Sequence, residues 1–135
     1  MTPRNKTVLA LLAAGLLAAC TTNPSMPGNA SSAELQRPAS QRPVTSEAQR
    51  RAKIHTDLGM AYYSAARYGI GLDETRKALA YDANYAPAHH LNALLLLAVD
   101  DMTTAQRSFE RAISLAPGDP EINNSYGWFL CVRKQ

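Results

Sequence analysis

The stretch ALLLLAVDDMTTAQRSFERAISLAP, residues 93–117, decides how this 135-residue chain is read. A small residue, Ala93, is followed three positions on by the large apolar Leu96; beyond Asp100-Asp101 come Ala105, Phe109 and Ala112, and Pro117 closes the run. Apolar side chains three and four residues apart mark helices, and paired carboxylates suit the start of a second helix, where negative charge complements the helix dipole. The stretch therefore predicts a helix hairpin in which small residues let the two helices approach closely.

The pattern recurs when the sequence is laid over itself at a fixed 34-residue shift. Gly59, Ala93 and Gly127 fall in register, as do Tyr62, Leu96 and Leu130, and His55, His89 and Asn123. Ala78 and Ala112, Leu79 and Ile113, and Ala83 and Pro117 obey the same shift. No alternating run long enough for a strand competes. A 34-residue period with small residues at one point, a large apolar residue three later and Ala-rich second helices resembles the tetratricopeptide repeat. That resemblance implies an all-α fold, a solenoid of helix hairpins with about two and a half repeats, at approximately 52–85, 86–119 and a partial 120–135. Each hairpin of such an array leaves an apolar face that only the next hairpin covers.

The units are not equally regular. The first has Gly71 where Ala is usual, Thr75 in place of the aromatic and Ala83 in place of the terminal Pro; Gly69 and Gly71 each weaken a helix interior by roughly 0.5–1 kcal/mol relative to Ala. The third offers only its first helix: Asp119 can cap it, Pro120 suits its first turn, and Tyr126-Gly127-Leu130 fit the pattern. The reading is of an array truncated at its C-terminal side relative to a longer parent, because arrays below about three repeats are marginal.

Working outward, Ser46-Glu47-Ala48-Gln49 fits a capping box, and Ile54, Leu58, Ala61-Tyr62 and Ala65 recur at helical spacing, so the helical domain is expected over 46–135. Residues 20–45 hold Pro24, Pro27, Pro38 and Pro43 and few large apolar side chains. That composition buries too little surface to offset its ordering entropy and predicts a disordered tether. In residues 1–19, Arg4 and Lys6 precede VLALLAAGLLAA (8–19), about the length of a secretory apolar segment and short of the roughly 20 residues that span a bilayer. Leu17-Ala18-Ala19-Cys20 resembles the bacterial lipobox, which implies acylation at Cys20; several acyl chains, at ~0.8 kcal/mol per buried methylene, make a stable anchor. A plain secretory signal with an incidental Cys, or a hydrophobic N-terminal helix, is the competing reading; start charge, length, small residues and Cys20 together favour the lipobox. Thr21 rather than Asp beside Cys20 resembles the Gram-negative sorting pattern for the periplasmic face of the outer membrane.

Several function classes find little in the residues. The chain carries 14 Lys and Arg against 11 Asp and Glu, and without Arg4 and Lys6 the balance is 12 against 11. With no basic block interleaved with aromatics, nucleic acid is not an expected partner. His55, His89 and His90 have no carboxylate or Cys at ligand spacing, so no metal or other cofactor is expected. No nucleophile with a base and no phosphate cradle occurs, and no catalytic residue is assigned. Asp73-Glu74, like Asp100-Asp101, is expected at the start of a second helix, with Asp73 pairing Lys77 four residues on. If Cys20 is acylated, Cys131 lacks a partner for a disulfide in this chain; it is either a small buried apolar residue or the partner of a cysteine in a longer parent.

In tetratricopeptide arrays the first helices line a concave groove that holds partner segments. The 34-residue shift places Met60, Leu94 and Trp128 in one stripe, Tyr63, Leu97 and Cys131 in a neighbouring one, and Thr56, His90 and Asn124 in a polar one. The groove candidates are Met60, Tyr63, His90, Leu94, Leu97, Asn124 and Trp128, with Trp128 as the anchor for an amphipathic or extended peptide. Simple packing between adjacent helices is the competing reading, above all for Leu94 and Leu97.

PEINNSYGWFLC, residues 120–131, resembles the NNYG-FLC segment that opens the third repeat of the type IV pilus biogenesis and stability lipoproteins, the PilF/PilW pilotin family; Ala52-Lys53-Ile54 through Leu58-Gly59 is similar to its first repeat. With the lipobox and the tether, the resemblance covers Met1 to Cys131. It implies an outer-membrane lipoprotein that helps the type IV pilus secretin reach, insert and multimerise. The groove would hold a segment of the secretin subunit while the lipid on Cys20 carries the pair to the membrane. A general periplasmic scaffold, an adaptor lipoprotein for envelope or cell-wall proteins, fits the residues outside 120–131 equally well.

Overall fold

The computed structural model of the chain describes residues 36–134; the leader expected over 1–19, the lipidation position Cys20, the tether as far as residue 35 and the terminal Gln135 lie outside the described residues. What is described is all-α. Helices α1 (Glu47–Ser64), α2 (Tyr68–Tyr81), α3 (Ala86–Ala98), α4 (Met102–Leu115) and α5 (Pro120–Arg133) follow a 3-10 turn at Ala39–Gln41, with no strand among the described residues. The 34-residue shift carries both bounds of α2 onto those of α4, and the end of α1 onto the end of α3.

Local chemistry sets these bounds. The Ser46 hydroxyl caps α1 by accepting from the Gln49 N–H at 3.1 Å, while the Gln49 side-chain carbonyl reaches back to the Thr45 N–H at 2.9 Å, one residue earlier than a standard box. Helices α1 and α3 end alike: the Arg67 N–H bonds the Tyr62 carbonyl at 2.8 Å and the Asp101 N–H bonds the Leu96 carbonyl at 2.9 Å. Between them Ala66 and Asp100 take left-handed φ values of 55° and 64°, the Schellman closure repeated at the 34-residue shift. Asp101 then caps α4 by accepting from the Thr104 N–H at 3.0 Å.

Helices α1 and α2 run antiparallel. Tyr63 meets Tyr68 beside the turn, Gly59 crosses Gly71, and His55 bonds Glu74 farther along. Helices α3 and α4 repeat the arrangement, with Leu97 and Met102 packed on one cluster near the turn and Asn92 donating to the Ser108 hydroxyl at 2.8 Å farther along. One core cluster joins Ala52, Ala78, Tyr85 and Ala88 with Leu79; a second joins Ala86, Ala112, Ala116 and Ile122 with Ile113. Ala52 and Ala86, Ala78 and Ala112, Ala88 and Ile122, and Leu79 and Ile113 are all related by the same shift, so one packing unit is built twice. A third cluster of Ala93, Phe109 and Phe129 holds α5 against α3 and α4.

Three expectations are corrected. The apolar stripe that marks α1 as a helix is not its buried face: Ile54 is 58% exposed and Leu58 42%, while Ala52, Thr56 and Gly59 are buried. Small residues win that position because the α2 backbone crosses there, leaving no room for a larger side chain. Asp73 and Glu74 lie inside α2 rather than at its start, and Asp73 pairs with Arg76 instead of Lys77. The segment expected as tether over 20–45 is structured in its last part. The Ala39 N–H donates to Asp119 Oδ2, the Ser40 hydroxyl bonds Glu121 at 3.2 Å, and Ala39 packs on the second cluster. The buried Asp119 carboxylate also caps α5, accepting from the Glu121 and Ile122 N–H groups at 2.9 Å each, so a single side chain satisfies donors from both segments.

Candidate partner-binding face

The groove candidates sit on α1, α3 and α5, the first helix of each unit. Small residues hold α1 close to the rest: a Cβ on Gly59 would lie 2.9 Å from Leu91 Cδ2, and one on Gly71 would lie 2.6 Å from Leu95 Cδ2. Leucine tips of α3 therefore plug notches that only glycine leaves open. Helix α5 is held differently, by aromatic side chains: Phe109 lies 5.7 Å from Tyr126 and 5.4 Å from Phe129, ring centre to ring centre.

Exposure sorts the candidates. Met60, Tyr63, Leu94 and Leu97 are half-buried, and Asn124 and Cys131 are exposed. Leu94 and Leu97 pack on the Ala93–Phe109–Phe129 cluster with one side and meet solvent with the other, so packing and surface roles are combined in the same side chains. Trp128 is 60% exposed, the largest uncovered ring of the described residues. His90 does not belong with them. It is 5% exposed, its ring lies 6.0 Å from Phe109, and its Nε2 is buried without a partner among the described residues. Thr56 is buried too, its hydroxyl donating to the Ala52 carbonyl at 2.8 Å. The polar stripe expected from the sequence is thus closed at two of its three positions, because residues one turn from the small-residue crossing point inward.

Two features escape the sequence. One is a polar cluster at the α1–α2 contact. Glu74, buried, accepts from Lys77 at 2.6 Å and meets His55 Nδ1 at 2.7 Å; the Lys77 bond first, then the His55 bond, hold its carboxyl below the usual range despite burial. The His55 ring stacks on Tyr81 at 5.4 Å, and the Arg51 guanidinium lies over the Tyr81 ring, 5.5 Å from its centre. The sequence marks His55, Glu74 and Lys77 separately, Glu74 as a helix-start carboxylate and Lys77 as a partner for Asp73; the His55–Glu74 pair spans 19 residues and leaves no short-range signal. The other is a shallow cavity of about 200 Å³ between residues 39–45 and the ends of α3 and α4, lined by Arg42, Val44, Tyr85, Pro87 and Leu115 among others. Burial pushes the Tyr85 phenol up to about 12, with Asp57 and Asp82 adding to the shift.

Among the described residues, Met60 on α1 and Leu94 on α3 are half-buried and Trp128 on α5 is open, three positions related by the 34-residue shift. No family model matches the chain, and no solved structure matches it. Over 84 residues it is 27% identical to an uncharacterized protein of Haemophilus influenzae (strain ATCC 51907 / DSM 11121 / KW20 / Rd); the matched stretch is 62% of this chain and 47% of that protein. The match thus spans about half of the relative's length.

Proposed function

We propose that this chain is a tetratricopeptide-type lipoprotein that binds a segment of the type IV pilus secretin subunit and carries it to the outer membrane. The observation that supports the repeat reading most directly is the recurrence, at the 34-residue shift, of helix bounds, of the Schellman closures at Ala66 and Asp100, and of the Ala-rich cluster. The choice of secretin rests on the resemblance of residues 120–131. Met60, Leu94 and Trp128, flanked by Tyr63, Leu97 and Asn124, are the contact residues, with Trp128 as the ring that a partner would desolvate. His90 supports the floor from within. Acylation of Cys20 supplies the anchor.

The test is copurification of the full chain from a piliated Gram-negative host. Secretin subunits are expected with the unaltered chain, and fewer with Trp128→Ala or Met60→Asp. Radiolabelled fatty acid is expected on the chain and absent after Cys20→Ala. Recovery of cell-wall enzymes in place of secretin would transfer the reading to a general periplasmic adaptor. Secretin capture that ignores both groove changes would remove the groove from the account.

A further inference from the structure

We infer that residues 38–45 form a latch across the amino-terminal edge of the helices: docked, it holds the amino end of α5 through Asp119, and lifted, it loosens the helix that carries Trp128. The segment touches the start of α1, α3 and α5 in turn. At one end the Thr45 N–H and hydroxyl both donate to the Gln49 side-chain carbonyl in the first turn of α1, each at 2.9 Å. At the other end the Ala39 N–H donates to Asp119 Oδ2, and the Ser40 hydroxyl donates to Glu121 at 3.2 Å, in the cap and first turn of α5. Between these pins the segment spans the shallow cavity beside Tyr85, Ala86 and Pro87 at the start of α3.

The acceptor is fixed and the segment is detachable. Asp119 is 1% exposed, and its Oδ1 accepts from the Glu121 and Ile122 N–H groups of its own helix; that leaves Oδ2 aimed at Ala39. The segment is folded on itself, with the Gln41 N–H bonding the Pro38 carbonyl at 2.9 Å and the Arg42 Nε–H bonding the Arg37 carbonyl at 3.1 Å. Pro38 and Pro43 restrict it further, which reduces the entropy lost on docking. Pro38, Ala39 and Ser40 are only half-buried, and the cavity of about 200 Å³ lies beneath the middle. A compact piece pinned at two points over a cavity lifts as a unit.

The first hairpin shows what the latch replaces. There Tyr85 completes the cluster of Ala52, Ala78 and Ala88. Its equivalent at the 34-residue shift is Asp119, a short carboxylate, and Ala39 packs on the second cluster instead. That cluster joins Ala86 of α3, Ala112 of α4 and Ile122 of α5. Lifting the segment therefore uncovers the meeting point of three helices and takes the donor from Asp119 Oδ2. A buried carboxylate oxygen without its donor is costly, and the cost is relieved when the amino end of α5 moves out to water. Force arriving along the chain from the amino-terminal side loads the Ala39–Asp119 bond before it reaches α1. Only the source of that force, an acylated Cys20, and the partner on Trp128 rest on the proposed function.

The experiment is amide hydrogen exchange of the full chain, read by mass spectrometry on proteolytic fragments. Ala39→Asp sets a third carboxylate against Asp119 and Glu121 without altering a helix, while Gln41→Glu places the same charge on an exposed neighbour. In Ala39→Asp the α5 amides should exchange about tenfold faster, the loss of one hydrogen bond to a charged group, with the α2 amides unchanged; Gln41→Glu should match the unaltered chain. Ala39→Pro deletes the N–H and adds no charge, and Pro38, at ψ 140°, accepts a following proline; it should accelerate α5 in the same way. An α5 rate that stays at the unaltered value in either Ala39 variant, equal acceleration of α2 and α5, or acceleration matched by Gln41→Glu overturns the inference. No secretin enters the measurement, so its failure removes the latch alone, and failure of secretin capture leaves the latch standing.

Discussion

In the α1–α2 hairpin the helices meet through Gly59, Gly71 and Thr75; in the α3–α4 hairpin the residues at the same places are Ala93, Ala105 and Phe109. The first hairpin removes side-chain volume and lets backbones touch, with Leu91 and Leu95 of α3 filling the notches and the Thr75 hydroxyl satisfied by the Gly71 carbonyl at 2.8 Å. The second keeps its methyl groups and inserts a ring, which then reaches beyond the hairpin to Tyr126 and Phe129 of α5. Interiors must be filled to near-crystalline density, and a repeat unit can meet that demand by bringing helices closer or by widening the wedge between them. The choice has a consequence: the aromatic wedge, and not the backbone crossing, is what seats α5.

Emptying the wedge should have the largest effect. Phe109→Ala should cost ~3–5 kcal/mol in urea denaturation, because a fully buried ring leaves a cavity at the meeting of α3, α4 and α5. The truncation of its counterpart, Thr75→Ala, should cost clearly less, and equal losses would show that the two hairpins are packed alike. Next in size is Gly71→Val, expected to cost ~1–3 kcal/mol through overpacking against Leu95 and the Gly59 backbone. The matching change in the second hairpin, Ala105→Gly, should cost only roughly 0.5–1 kcal/mol, the helix penalty of glycine.

Titration probes the second hairpin by another route, through the histidine that touches the Phe109 ring. Burial lowers the His90 imidazole from its ordinary 6.5, against the opposing pull of Glu121 and Asp119. With the folded value depressed, the unfolded chain takes up the proton first. Stability is therefore full above 6.5 and is lost as pH falls from there to the folded value. His90→Leu should flatten that acid limb and remove the unpartnered Nε2, which thermal melts across the range below 6.5 would register; an unchanged acid limb would place the titrating group elsewhere. The smallest expected effect is a gain. Ala66→Gly, at φ 55°, should stabilise by ~0.5–1 kcal/mol in the same assay, since glycine alone adopts left-handed backbone without penalty. Asp100→Gly at the equivalent closure should gain less, because aspartate tolerates that conformation better than alanine.

The helices are legible because their signals are local: the Ser46 cap, the Asp101 and Asp119 caps and the 34-residue echo of small and large residues are all read along the chain. The buried face of α1 is misread for an equally physical reason. Periodicity locates a stripe of Ile54, Leu58 and Ala65, but a helix crossed by another backbone at Gly59 buries its smallest residues and not its most apolar ones. His90 passes for a surface candidate because its spacing matches Asn124, while its burial depends on Phe109 in the following helix. The strap at residues 39–45 reads as tether because prolines argue against a packed core; Asp119, 80 residues downstream of Ala39, supplies the acceptor that orders it.

By itself the sequence determined that this chain is helical, where α1 and α5 begin, and that the spacing repeats. Those properties follow from backbone hydrogen bonding and side-chain periodicity within a few residues. Tertiary structure alone decided which face of each helix turns inward, that Glu74 gathers His55 and Lys77, and that His90 is enclosed beside Phe109. Those outcomes depend on how closely two backbones approach, a distance set by pairs of residues far apart in the chain.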